Sequence, residues 1–181
     1  MPDDEGKTRA QLLEELQAVR KEVALERAVS DNSSDCIMRY DRECRHIYAN
    51  RATLELTGVS VEEYLGKTHR DLGFPEHLCA LWGSKIQEVF ETSQPVAVEF
   101  RVELSNGPLD MELRLHPEFD EAGTVFSVLG VSRDITVRKR TEEALRDSAE
   151  MFRSLFRQSS GGYCMSLEPT PSGIPNIVDA N

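Results

Sequence analysis

Val96-Ala97-Val98-Glu99-Phe100-Arg101-Val102-Glu103-Leu104, then Ser105-Asn106-Gly107-Pro108, then Leu109-Asp110-Met111-Glu112-Leu113-Arg114-Leu115-His116 is the stretch that decides the fold. Apolar and polar residues alternate on both sides of a turn-forming tetrapeptide, the signature of an antiparallel hairpin with one buried and one wet face. A four-residue loop would set Leu104 opposite Leu109, Arg101 opposite Glu112 and Glu99 opposite Arg114. Those are two favourable cross-strand charge pairs. Asp120-Glu121-Ala122-Gly123 then leads into a third strand over Thr124–Ser132.

Upstream, Cys36–Tyr40 and Arg45–Ala49 read as two short strands around the turn Asp41-Arg42-Glu43-Cys44. Asn50 is placed to cap a short helix that stops at Thr57-Gly58. Ser60-Val61-Glu62-Glu63 is a capping box for a second, ending at Leu65-Gly66. Pro75 suits the first turn of a longer helix reaching about Thr92. Leu78, Leu81, Trp82, Ile86, Val89 and Phe90 form its apolar stripe, and Gly83 inside it is expected to allow close packing. Residues 7–30 lack Gly and Pro and carry Leu12, Leu16, Val19 and Val23 at coiled-coil spacing. That seam suits either a dimer partner or the helix's own domain. A further helix is expected over 134–157. The order predicts an α+β fold, a five-stranded antiparallel sheet with helices on one face.

Several strings in this order resemble a PAS domain, the sensor module of bacterial signalling proteins. They are Ala49-Asn50-Arg51-Ala52, Leu56-Thr57-Gly58-Val59-Ser60, Glu62-Glu63-Tyr64-Leu65-Gly66-Lys67-Thr68, Gly73-Phe74-Pro75-Glu76, and Arg133-Asp134-Ile135-Thr136 after the last hairpin. The resemblance covers roughly residues 30–140. It implies a PAS fold with a ligand-sized pocket between sheet and long helix, and output through the helix that follows Asp134, Ile135 and Thr136. A short polar side chain at such a junction also caps the helix and fixes its exit angle. Ser33-Ser34 and Ala49-Asn50 recur as Ser159-Ser160 and Ala180-Asn181, around a strand-like Tyr163-Cys164-Met165. The expected organisation is thus an N-terminal helix over 1–30, a sensor domain over 31–133, a helical linker over 134–157 and the incomplete start of a second PAS domain over 158–181. That last piece is expected to be disordered or to borrow a neighbour's sheet.

The pocket residues expected from the resemblance and the apolar pattern are Leu54, Leu65, Leu81, Ile86, Val98, Phe100, Leu113 and Leu129, with Tyr48 and Ser127 as hydrogen-bonding groups. The same residues would serve a filled core, and both readings stand. Any ligand would be small and largely apolar. The cofactor is left open. His69 and His77 are the residues to ask about haem, but solvent exposure is the simpler reading and haem is not expected. Photoactive flavin-binding relatives carry Asn-Cys-Arg-Phe-Leu-Gln, whereas Cys79 stands in His77-Leu78-Cys79-Ala80-Leu81, which excludes that subclass.

The 181 residues carry 21 Lys and Arg against 32 Asp and Glu, a formal charge of −11 that disfavours nucleic acid and anionic membrane surfaces. No apolar run approaches the ~20 residues that span a bilayer. The acidic start Met1-Pro2-Asp3-Asp4-Glu5 and four scattered cysteines fit a reducing, cytoplasmic location. Arg138-Lys139-Arg140 precedes Glu142-Glu143 at helix-pair spacing and reads as a solvated face. His69-Arg70-Asp71-Leu72 copies the start of a kinase catalytic loop, but Glu76 replaces its Asn and no companion motif is present. No metal site, P-loop or nucleophile elbow appears. The expectation is a non-enzymatic sensory or relay module that dimerises through its N-terminal helix. It would feed an output domain in a longer receptor, a sensor histidine kinase or alternatively a diguanylate cyclase, or act as a ligand-free structural relay.

Overall fold

A computed structural model describes residues 8–104, 107–158, 167–168 and 176–177, with side chains through residue 154. Contacts divide the chain into two compact units, Met1–Thr136 and Val137–Asn181.

The first unit begins with α1 (Arg9–Asp31), opened by a Thr8–Gln11 capping box. Strands β1 (Cys36–Tyr40) and β2 (His46–Ala49) follow. In their connecting turn, one Asp41 carboxylate oxygen accepts from the backbone N–H groups of Glu43 and Arg45. Asn50 caps α2 (Arg51–Thr57), and Gly58 in the left-handed conformation ends it. Ser60 caps α3 (Val61–Tyr64), its hydroxyl accepting from the Glu63 N–H. Helix α4 (Glu76–Thr92) starts behind Pro75 and buries Leu78, Cys79, Trp82, Ile86, Val89 and Phe90. Strands β3 (Val96–Leu104), β4 (Gly107–Phe119) and β5 (Val125–Asp134) complete the sheet.

The five strands are antiparallel in the order β2-β1-β5-β4-β3. This is the α+β arrangement, a five-stranded antiparallel sheet with helices, that the order of elements predicts. The β3–β4 register is two residues tighter than expected: Leu104 pairs with Gly107, Val102 with Leu109 and Arg101 with Asp110. An even slip keeps every side chain on its face. The expected Arg101–Glu112 and Glu99–Arg114 pairs are thereby replaced. Arg101 stands 3.9 Å from Asp110, and Arg114 reaches Glu112 along its own strand at 2.9 Å.

The core lies between the sheet and α4, with Met38, Tyr40, Leu113, Leu115 and Val128 facing Leu78, Trp82, Ile86 and Val89. The close backbone approach is at Gly130 and not at Gly83. A Cβ on Gly130 would sit 2.9 Å from Tyr40 Cε2 and 3.3 Å from Leu115 Cδ2, whereas one on Gly83 meets nothing within 4 Å. Helix α1 buries no residue, so its apolar seam is not spent on its own domain. Leu12, Leu16, Val19 and Val23 all lie exposed.

In the second unit, α5 (Thr136–Gln158) continues from the first and carries exposed Val137, Leu145, Met151 and Phe152. Two short strands, β6 (Leu167–Glu168) and β7 (Asn176–Ile177), pair antiparallel. Tyr163-Cys164-Met165, Ser159-Ser160 and Ala180-Asn181 lie outside the described residues, as does the expected disorder or strand-borrowing of most of 158–181.

Candidate functional site

Between the inner face of the sheet and the α2–α4 layer lies a cavity of about 310 Å³. Its sheet wall is built by Cys36, Met38, Tyr40, Phe100, Met111, Leu113 and Ser132, and its helical side by Thr53, Tyr64, His69, Phe74 and Trp82. Period two delivers the sheet residues: Met38 and Tyr40 alternate on β1, and Met111 and Leu113 on β4. Trp82 comes from the α4 stripe. His69 comes from the α3–α4 connection, where Thr68 and Asp71 cap each other and the Phe74 N–H donates to the His69 carbonyl.

The rings are close and tilted. His69 lies 4.6 Å from Trp82, 4.5 Å from His46 and 5.5 Å from Tyr40, centroid to centroid. Trp82 also meets Phe74 at 5.3 Å and Phe100 at 5.1 Å, both edge-on. His46 packs on Tyr64 at 4.4 Å behind this wall. Its Nδ1 sits 2.7 Å from the Lys67 carbonyl, so Nδ1 carries the proton and Nε2 is a bare acceptor. Burial pulls His46 down to about 4, against the pull of the Lys67 carbonyl. His69 is drawn down to about 3 by burial and then by His46. Both imidazoles are neutral at pH 7. Burial raises the Tyr40 and Tyr64 phenols and the Cys36 thiol, so these groups are uncharged as well.

The cavity is therefore nearly devoid of charge. Glu103 is the exception, and it stands at the rim with its side chain exposed and Arg101 3.7 Å away. Most polar groups in the wall are satisfied. The Thr53 hydroxyl donates to Asn50 Oδ1 at 2.8 Å, the Thr57 hydroxyl to the Thr53 carbonyl at 2.9 Å, and Tyr40 to the Met38 sulfur at 3.4 Å. Trp82 Nε1 and Ser132 Oγ are buried and have no hydrogen-bond partner among the described residues.

Of the ten expected pocket residues, Phe100 and Leu113 line the cavity. Ile86 is fully buried in the core, and Leu81 and Val98 pack partly buried against it. Leu54 and Leu65 turn away. They line a separate surface depression with Tyr48, because α2 presents Thr53, Leu56 and Thr57 to the cavity. Tyr48, Ser127 and Leu129 lie on the opposite face of the sheet. Tyr48 and Leu129 both flank Arg39, and the Tyr48 hydroxyl donates to Ser30 Oγ on α1 at 2.7 Å. The Ser127 hydroxyl donates to Glu118, whose carboxylate also accepts from Arg39 Nε at 2.9 Å. His77 is exposed, but His69 is not: at 7% exposure it belongs to the wall, contrary to the expected solvent exposure. Tyr40, Trp82 and Ser132 are among the wall residues that the expected pocket left out. Trp82 already stood in the α4 stripe; no sequence signal marks Ser132.

The Asp134-Ile135-Thr136 junction is built as a clasp on β4. The Ile135 N–H donates to the Asp110 carbonyl at 2.8 Å, and the Asp110 N–H to Thr136 Oγ1 at 2.9 Å. Asp134 Oδ1 accepts from the Thr136 N–H at 2.8 Å. Arg70 and Asp71 of the kinase-like string diverge from His69, Arg70 to Glu76 at 3.0 Å and Asp71 to Thr68.

A family model described as the PAS fold matches residues 30–140. The chain belongs to the PAS family. This PAS domain resembles the PAS domain of BvgS from Bordetella pertussis with a TM-score of 0.57 and 23% identity, over 72% of this chain and 98% of that one. It also resembles a light-oxygen-voltage protein of Rhodobacter sphaeroides, with a TM-score of 0.53 and 25% identity, over 70% of this chain and 73% of that one. Among curated sequences it is 26% identical over 128 residues to the uncharacterized protein y4lL of Sinorhizobium fredii. That match covers 70% of this chain, which spans only 15% of the relative's length. The PAS fold is typical of sensory domains in signalling proteins. Cys79, the only cysteine of α4, donates to the Phe74 carbonyl at 3.3 Å and does not line this PAS cavity. No Lys or Arg among the described residues lines the cavity. Among the described residues, no three His, Cys, Asp or Glu side chains group as metal ligands, and no helix is long and apolar enough to cross a membrane.

Proposed function

We propose that this PAS domain is the ligand-sensing module of a larger signal-transduction receptor, with a sensor histidine kinase as output. A small, largely apolar molecule binds in the cavity, and the change passes through Asp134, Ile135 and Thr136 into α5. The observation that carries this reading is the cavity itself, walled by apolar and aromatic side chains between the sheet and the helices. A purely structural relay would gain from filling that space.

Helix α1 supplies the dimer contact in this proposal, since its apolar seam is exposed over about three turns and its own domain buries none of it. The module itself is non-enzymatic; chemistry belongs to the output domain. A cytoplasmic setting is supported by the free thiols of Cys36, Cys44 and Cys79.

Native mass spectrometry of the freshly purified chain tests the proposal. A dimer with one extra non-covalent mass per chain is the expected result. A bare dimer that takes up no small molecule from a cell extract would replace ligand sensing by structural relay, and a bare monomer would remove the α1 dimer.

A further inference from the structure

Resting on the reading that α1 supplies the dimer contact, we infer that a second copy's α1 lies against it parallel and in register. Glu15 and Glu22 of each helix then pair with Arg20 and Arg27 of the other. The seam sets the frame. Leu12, Leu16, Val19 and Val23 recur in steps of four, three and four, so Leu16 and Val23 take the a positions of a heptad and Leu12 and Val19 the d positions. All four are 42–55% exposed, and α1 buries no residue in its own domain.

Charge selects the orientation. In that frame Glu15 and Glu22 occupy the g positions on one flank of the seam, and Arg20 and Arg27 the e positions on the other. All four side chains are exposed. Each Glu stands five residues before its Arg, about 140° around the helix at ~100° per residue, whereas side chains that meet on one helix are three or four apart. In a parallel pair, a g residue meets the e residue of the next heptad on the facing helix. Glu15 then meets Arg20 and Glu22 meets Arg27 on both sides of the seam, so every such contact joins opposite charges. An antiparallel pair sets g against g and e against e, which brings Glu to Glu and Arg to Arg. The same four residues favour one orientation and oppose the other.

The seam is also short. Arg9 precedes it at an a position, and Glu26 follows at d, where a second copy would place a like charge. Apolar contact is confined to Leu12–Val23, roughly 17 Å of helix, so each flanking charge matters. The last turn of α1 is tied to its own domain: the Tyr48 hydroxyl donates to Ser30 Oγ at 2.7 Å, and Asn50 Nδ2 to the Ser30 carbonyl at 2.9 Å. A parallel pair therefore holds both domains at the same end of the coil, and an antiparallel pair would hold them at opposite ends.

Sedimentation equilibrium of the full 181-residue chain and its charge variants tests the pairing. Glu15→Arg with Glu22→Arg turns every Glu–Arg contact of the parallel pair into Arg–Arg. Each reversal is about a two- to fivefold change, so the dimer should weaken on the order of a hundredfold. Charge balance alone predicts the opposite, because each Glu→Arg change adds two positive charges and takes the formal −11 to −7. Adding Arg20→Glu and Arg27→Glu restores the opposite-charge contacts and should return the affinity to within about threefold of wild type. An antiparallel pair would keep like charges in contact in every one of these variants. Glu26→Leu should extend the seam and tighten the dimer by about tenfold. All five positions are exposed, so none of these changes threatens the fold. A dimer lost in Leu16→Glu with Val23→Glu but unweakened by Glu15→Arg with Glu22→Arg keeps the α1 contact and overturns the parallel pairing. Weakening that the fourfold exchange does not reverse overturns it as well, and Glu26→Leu without tightening overturns the heptad frame. A dimer that survives Leu16→Glu with Val23→Glu, or a wild-type chain still monomeric at millimolar concentration, overturns the α1 reading and this inference together.

Discussion

Acidification should unfold this domain early, through two imidazoles that the fold keeps neutral. His46 is fully buried and His69 nearly so, with their rings stacked among Tyr40, Tyr64, Phe74 and Trp82. No carboxylate touches either ring, and Asp41 offers His46 only a minor pull toward protonation. In the folded state they titrate at about 4 and about 3, whereas a free imidazole titrates near 6.5. Their folded values are depressed, so between those limits the unfolded chain binds more protons than the folded one. Stability is therefore complete above about pH 6.5 and falls as the pH drops. At pH 5 each histidine costs about 1.36 kcal/mol times 1.5 pH units, roughly 2 kcal/mol, and the pair roughly 4 kcal/mol. That is a large share of the 5–15 kcal/mol that holds a typical domain together. Urea melts at pH values from about 7.5 to 5, followed by the fluorescence of the chain's single tryptophan in the same ring cluster, read this directly. His69→Gln should roughly halve the pH-dependent loss, whatever its own effect at neutral pH. A wild-type stability constant to within about 1 kcal/mol over that range, or a loss unchanged in His69→Gln, would refute the assignment of this acid sensitivity to the pair.

Asn50→Ala should cost about 3 kcal/mol in urea melts. Asn50 Oδ1 accepts from Ile37 N and Thr53 N, and Nδ2 donates to the Ser30 and Asp35 carbonyls. Asn50→Asp should be no milder, since it turns a charge toward those two carbonyl oxygens. Gly130→Ala should cost about 1–3 kcal/mol in the same assay, because its Cβ would press on Tyr40 at 2.9 Å. Asp134→Ala should cost only about 1 kcal/mol of stability as a lost cap, yet uncouple sensor from output in the intact receptor; unchanged signalling there would count against the coupling role. Replacing Leu16 and Val23 by Glu should give a monomer in sedimentation with domain stability within about 0.5 kcal/mol of wild type, since α1 buries nothing in its own domain.

The elements were legible because each local rule agrees with the global fold. Asn50, Ser60 and Pro75 cap or open helices where their side chains require it, and the alternation through β3 and β4 assigns every residue to a face even though the turn is two residues tighter than expected. The cavity was much less legible, and β5 shows why. Its inward face reads Val128, Gly130 and Ser132, small and polar, because Tyr40 and Leu115 crowd the space above Gly130. Its outward face carries the more apolar Leu129 and Val131. A choice by hydrophobicity therefore picks the wrong side, which is how Ser127 and Leu129 entered the expected pocket and Ser132 did not. The same inversion acts on α2, where Asn50 and Thr53 are fully or almost fully buried while Leu54 faces outward. His69 follows a different logic: only the fold brings its ring to His46 and Trp82, and nothing adjacent in sequence marks it as buried.

These buried polar residues also tie the cavity to the ends of both helices. Thr53 stands in the cavity wall and bonds Asn50, and Asn50 holds the Ser30 carbonyl at the end of α1 and the Asp35 carbonyl where β1 begins. The Asp35 carboxylate is in turn held by the Arg133 guanidinium at 2.6 Å. Arg133 lies between Ser132, the other polar wall residue with an unpartnered atom, and the Asp134–Thr136 clasp that opens α5. The route is short because it runs through hydrogen bonds and adjacent peptide units, not through packed side chains alone. Position alone transmits nothing, however. A molecule in the cavity biases the helices only to the extent that it binds one arrangement of these groups better than another. The Arg133 guanidinium meets the Asp35 carboxylate through both Nε and an Nη, and the Asp35 side chain is largely buried. The worth of this pair lies in joining the residue before β1 to the residue before α5's clasp. A ligand that displaces Ser132 in the sheet wall acts one peptide away from that joint, whereas one that touches only the α4 side does not reach it.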